Sequence, residues 1–272
     1  MNLVREPSVA GMFYSASPKK LQEDIQSLLN LNKPEEKFEN IFGIISPHAG
    51  YMYSGRSAAF AYNAVSGNKF KTVVIISPSH REYFPGISIY NGNAYKSPLG
   101  ELSVNKELAK KIISNSKIIF EGLNGHRTEH ALEVQLPFLQ MVMKDFTIVP
   151  IVMGDQSRIF IDELASRLSN AVDDETLIVA SSDLSHFYNK VNADKLDSVI
   201  EKHINNFDYE TLQKDLENGK CEACGGGGIV VLMKTADLLD RRKSKVLSRT
   251  NSGDVTGDKS EVVGYLSAVI YG

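Results

Sequence analysis

Two stretches of this chain are built alike: "FGIISP" at 42–47 and "TVVIISP" at 72–78. Each is a nearly unbroken run of apolar, mostly β-branched residues that stops at Ser-Pro. A strand wetted on one face alternates apolar and polar residues, whereas an unbroken apolar run needs cover on both faces. "FTIVPIVM" (146–153) and "TLIVASS" (176–182) read the same way. Between these runs lie amphipathic segments with helical spacing, at 18–30, 55–65, 105–114, 129–144 and 158–172, with two more near 192–206 and 226–240. The alternation predicts an α/β fold, with a mixed, largely parallel sheet flanked by helices. "GISIYNG" (86–92), "KVLSRTNSG" (245–253) and "EVVGYLSAVIYG" (261–272) alternate better and are expected as antiparallel strands at one side. No linker or shift of composition divides the chain, so one domain spanning 1–272 is expected. Pro137 falls inside the 129–144 pattern and is expected to kink that helix.

Composition narrows the function. Hydrophobic residues make up 42% and charged residues 23%, which is ordinary for a globular chain with a sizeable core. The formal charge is −3 and no basic block stands out, so nucleic acid and membrane surfaces have no electrostatic support as partners. No apolar stretch approaches the ~20 residues of a membrane span, and the N-terminus lacks the apolar core of a signal peptide. The two cysteines, Cys221 and Cys224, cannot staple a secreted scaffold of 272 residues. A reducing cytoplasm is the expected setting.

In open α/β sheets, ligands sit beyond the carboxyl ends of the strands. Three of the six histidines fall just there: His48 after 42–46, His80 after 72–77, and His186, in "SSDLSH" with Asp183, after 176–182. Pro47 and Pro78 cannot donate to a ladder, so the first two strands end and the chain turns outward. Any one of these histidines alone is explained by a strand end or a loop. Three converging ones point to a metal site or to a general base beside one.

In "CEACGGGGIVVLMKTADLL" (221–239), a glycine-rich loop runs into an apolar helix. Cys224 then precedes a helix N-terminus, where the dipole favours a thiolate, either nucleophile or soft metal ligand. A redox pair with Cys221 lacks its usual preceding strand, and a phosphate loop lacks its closing Lys-Ser/Thr. A small buried cysteine beside a tight turn is the plain alternative. "HRTEHALE" (126–133) is not the His-Glu-x-x-His order of zinc proteases. Thr128 reads as a helix N-cap, with His126 in the loop and His130 and Glu133 on one helix face. These two are supporting groups for a site or a solvated helix start, Glu129 is a further candidate with no role read from its position, and His203 reads as a surface residue of a charged helix. No Gly-x-Ser-x-Gly nucleophile elbow is present.

Seven segments, "REPSVAGMFY" (5–14), "SPHAGYMYSG" (46–55), "SPSH" (77–80), "EHALEVQLPFLQ" (129–140), "SSDLSH" (181–186), "ACGGGGI" (223–229) and "NSGDVTGDKSEVVGY" (251–265), resemble the Memo family. Its microbial members are called AmmeMemoRadiSam system protein B. The resemblance runs in order from about residue 5 to the C-terminus. It implies a fold similar to the class III extradiol dioxygenases, in which two histidines and a carboxylate hold non-haem iron. By that resemblance His48 and His80 are metal ligands, Cys224 stands in place of the carboxylate, and His186 is the acid–base residue with Asp183 holding its ring. A sulfur ligand makes the site softer, suited to copper, zinc or thiolate-ligated iron, with iron or copper put ahead of zinc. Tyr51 and Tyr53, from the loop after His48, and His130 are further pocket candidates. The implied functions are a metal-dependent oxidoreductase, a non-catalytic protein- or peptide-binding scaffold with a vestigial site, or a zinc hydrolase. The ligand is an unidentified small molecule or peptide, and the family name implies a functional link to a radical-SAM protein.

Overall fold

The unbroken apolar runs become the centre of one nine-stranded sheet. A computed structural model describes residues 3–272. In chain order the first half comprises β1 (Val4–Arg5), α1 (Pro18–Leu31), β2 (Ile41–Ser46), α2 (Tyr51–Val65), β3 (Thr72–Pro78), β4 (Ile87–Tyr90), β5 (Ala94–Ser97), β6 (Gly100–Ser103), α3 (Lys106–Ile113) and β7 (Ile119–Gly122). The second half comprises α4 (Gln135–Val142), β8 (Thr147–Met153), α5 (Arg158–Ala171), β9 (Thr176–Ser181), β10 (His186–Tyr188), α6 (Lys190–Asn205), α7 (Tyr209–Glu217), α8 (Gly226–Leu238), β11 (Lys243–Asn251), α9 (Gly253–Thr256) and β12 (Val262–Tyr271).

The large sheet runs β10-β12-β2-β9-β3-β8-β4-β7, with β11 pairing the other edge of β12. Strands β2, β9, β3 and β8 are mutually parallel, and β12 and β4 join them antiparallel. Strands β1, β5 and β6 form a separate small sheet. Adjacent residues of the central strands feed opposite faces, as the two-residue strand period requires. Ile45, Ile76 and Ile178 join one core with α3, α5, α6, α7 and α8; Ile44, Ile75 and Val179 join the other with α1, α2 and α4. Each such buried side chain contributes about 1.5–3 kcal/mol relative to exposure. No helix among the described residues is long and apolar enough to cross a membrane.

The structure departs from expectation where local pattern met tertiary partners. The 129–144 helix shortens to α4. The Glu129 carboxylate accepts the backbone N–H of His130 and Ala131, and it holds that segment in turns. Thr128 is therefore not an N-cap. Pro137 lies in the first turn of α4, where its missing N–H had no helical partner, so no kink is needed. Helix α2 starts four residues before the expected 55–65 segment and takes in Tyr51 and Tyr53. His203 is buried, not superficial, with Nε2 2.9 Å from Asp215 Oδ2.

Candidate metal centre

Three parallel strands end level with one another. Ser46 of β2 is in register with Ser181 of β9, and Ile76 of β3 with Ala180. The chain leaves β2 through Pro47 to His48, β3 through Pro78 to His80, and β9 through Ser182 to Asp183. Helix α8 brings the fourth segment. Gly225 is its N-cap, and a Cβ there would meet the Ser181 carbonyl oxygen at 2.2 Å. Only glycine lets the helix start against the end of β9, and that approach delivers Cys224. Gln156 fixes the start by donating from Nε2 to the Cys224 carbonyl at 2.8 Å and accepting the Gly227 N–H at 2.8 Å.

Ligand atoms of His48, His80 and Cys224 all lie within 4.8 Å of one another. The His48 ring is fully buried. Its Nδ1 lies 2.9 Å from Ser181 Oγ and its Nε2 3.2 Å from Cys224 Sγ. Ser181 Oγ also donates to the Ala131 carbonyl at 2.7 Å and accepts from Gln135 Nε2 at 2.7 Å. Gln135 is oriented by its other contacts: Nε2 donates to the Pro47 carbonyl, and Oε1 accepts the Tyr62 hydroxyl. With Ser181's one proton committed to a carbonyl, His48 Nδ1 must be the donor to Ser181, which leaves the Nε2 lone pair facing the sulfur. His80 is held in the same sense. Glu129 accepts its backbone N–H at 2.6 Å and lies 2.9 Å from its Nδ1. A carboxylate on Nδ1 with Nε2 left open is the usual support of a metal-binding histidine.

His130, Glu129 and His80 form a second group with metal-ligand spacing. There Glu129 already accepts four N–H groups, two from His80 and one each from His130 and Ala131, so its role is support. Burial alone would raise this carboxyl; the His80 ring and the backbone donors outweigh it and hold the group at about 2. The His130 ring stacks on His80, with centroids 4.8 Å apart, and its buried Nδ1 lies 3.2 Å from Glu129 Oε1 without the geometry of a hydrogen bond.

Burial, then repulsion from His80, lowers the His48 ring to about 3, so it is neutral near pH 7. Burial, then the Asp183 charge, pushes the Cys224 thiol well above its ordinary value. The helix N-terminus was expected to favour a thiolate; desolvation wins, and without a cation the thiol stays protonated and faces His48 Nε2. The donor set still fits a soft or borderline ion, because two imidazoles and a thiol that ionises on metal binding offer three ligand atoms around one point.

The remaining predicted residues divide. Asp183 is buried, but its Oδ1 accepts the His48 N–H at 2.7 Å; it makes no hydrogen bond to the His186 ring. Its expected part as the holder of His186 is thus replaced by that of a backbone anchor for His48. His186 begins β10 and lines two cavities that flank Cys224 and Asp183, one of about 450 Å³ and one of about 580 Å³. Tyr53 and His130 line the larger cavity. Tyr51 does not: its ring packs against Tyr14 and Phe138, and its hydroxyl donates to the Val134 carbonyl. Cys221 is buried, and its thiol is pushed up to about 12, first by burial. Ser181, Gln135 and Gln156 escaped sequence reasoning. Gln135 alone carried a signal, as the one polar residue inside "VQLPFL" (134–139).

A family model described as "Memo-like protein" matches residues 5–269. A MEMO1 family protein of Thermoplasma volcanium is 36% identical over 268 residues, covering 98% of each chain. One of Thermotoga maritima is 37% identical over 279 residues, covering 98% of this chain and 99% of its own. The crystal structure of an uncharacterized protein from Escherichia coli K12 has a TM-score of 0.56 at 14% identity, covering 85% of this chain and 99% of that one, and shares the fold. With the family model spanning nearly the whole sequence and relatives of matching length, this chain belongs to the Memo-like family.

Proposed function

We propose that His48, His80 and Cys224 form the metal centre of a metal-dependent oxidoreductase, with iron or copper as the resident ion. One observation carries the reading. Both imidazoles are anchored through Nδ1, by Ser181 and Glu129, which leaves each Nε2 for an ion shared with the Cys224 sulfur. A redox-active ion held there would supply electron-transfer or dioxygen chemistry to a molecule in the adjoining cavity. The chain's own residues bind and orient. His80, its side chain 29% exposed, leaves one side of the centre open, while buried His48 closes the other. His186, whose ring makes no hydrogen bond to described residues, is the acid–base group facing the ligand.

Metal analysis after anaerobic purification tests this. Near-stoichiometric iron or copper, lost in His80→Ala and Cys224→Ser, is the expected result. Metal content unchanged by both substitutions overturns it. Stoichiometric zinc with ester hydrolysis would replace it by a hydrolase, and a metal-free protein that still captures a partner would replace it by a scaffold.

A further inference from the structure

We propose that the larger cavity beside the centre recognises an organic cation: a flat apolar body carrying an ammonium group at the outer lip. This names the ligand class for the centre described above and takes from that reading only its location. The cavity, about 580 Å³, has the size of a small-molecule site. Four of its walls are aromatic: Phe13, Tyr53, Phe187 and Tyr265. Three carboxylates line it, Asp183, Asp258 and Glu261, and no lysine or arginine does. Asp183 lies at the base and is turned to the His48 N–H. Asp258 and Glu261 are exposed, at the lip. Asp258 is oriented by accepting the Ser260 N–H and hydroxyl on Oδ1, and Glu261 makes no hydrogen bond to described residues. Lys259 lies between them in sequence but not in the wall, and nearby Lys190 pairs with Asp194 and Asp254 at 3.3 and 3.9 Å. The lip therefore attracts cations and repels carboxylates and phosphates.

Phe187 adds an independent mark. It is 72% exposed, and its φ is +64°, a left-handed conformation that strains a residue with a Cβ. It sits at a register shift between His186 and Tyr188, where β10 pairs with β12. The irregularity turns His186 to the cavity and leaves Phe187 at its edge. An exposed aromatic held in a strained conformation at a cavity mouth suits contact with a ligand, and aromatic faces attract organic cations.

Titration calorimetry of the intact protein with phenethylamine, 2-phenylethanol and 3-phenylpropionate tests the proposal. Phenethylamine should bind at least about tenfold more tightly than the alcohol, with the propionate weakest. The double variant Asp258→Asn, Glu261→Gln should erase the preference for the amine, while Phe187→Ala should weaken amine and alcohol alike. Propionate binding as tight as the amine, an amine preference that survives the charge variant, or no amine binding at millimolar concentration each overturns the idea. The same titration on the unsubstituted protein, with its uptake of iron and copper measured alongside, keeps the two readings apart. Cation preference without metal uptake sinks the metal centre alone, and metal uptake without cation preference sinks this inference alone.

Discussion

Ser181 has one hydroxyl proton, and that fact decides the chemistry of His48. Because the proton goes to the Ala131 carbonyl, the imidazole donates from Nδ1 and presents Nε2 to Cys224. Ser181→Ala should remove this constraint and weaken metal affinity by about 10–100-fold, while leaving the parallel strands folded. Metal titration with circular dichroism as the folding control checks it. The raised thiol gives a second prediction. Below its folded pKa, Cys224 holds a proton that the ion must displace, so affinity should rise with pH, and about one proton per ion should be released. Calorimetry in buffers of different ionisation enthalpy reads the proton count; Cys224→Ser should abolish the release. At this scale the histidines and Cys224 were legible because strand ends and a glycine turn single them out. Ser181 and Gln135 acquire their roles from partners at least 46 residues away, and Glu129 its hold on His80 from 49 residues away, which no local pattern encodes.

Helices α4 and α8 differ in how far the local sequence sets where they start. The glycine run that opens α8 was readable as a tight turn, and the structure supplies what Gly225 turns against, the end of β9. Gly225→Ala would place a methyl group 2.2 Å from a backbone oxygen that cannot yield. It should destabilise the fold by about 1–3 kcal/mol and displace Cys224. Urea unfolding and metal retention measure the two effects. Helix α4 is the opposite case. Its periodicity extended back to 129, yet the Glu129 carboxylate takes up backbone N–H groups and the helix begins only at Gln135. Pro137→Ala should accordingly change stability by less than about 1 kcal/mol, not the ~3 kcal/mol of a mid-helix proline. A change near the larger figure, measured by urea titration, would mean that the proline limits a longer helix. The two- to four-residue strands β1, β5, β7 and β10 were not expected, because so few residues carry no period and depend on their partners.

Across the whole molecule, the buried imidazoles set the response to acid. His126 is held between the Tyr95 hydroxyl and the Ser88 carbonyl, and burial, the largest cause, lowers it to about 3. Between its ordinary value near 6.5 and about 3, the unfolded chain binds a proton there that the folded chain does not. This site's contribution to stability therefore falls as pH drops through that window, by at most about 1.4 kcal/mol per pH unit. His126→Gln should flatten the decline, as measured by urea midpoints between pH 7 and pH 4; an unchanged slope would assign the acid sensitivity to His48 and His130, which are lowered to about 3 and about 4. By itself the sequence determined the layered α/β architecture. Unbroken apolar strands must be covered on both faces, and Ser-Pro endings must release their histidines at one edge. Only the tertiary structure decided which side chains support those histidines, whether the cysteine is ionised, and that Tyr51 packs while Tyr53 faces the cavity. Hydrogen-bond partners and desolvation are properties of the assembled surroundings, and they do not exist until distant strands and helices meet.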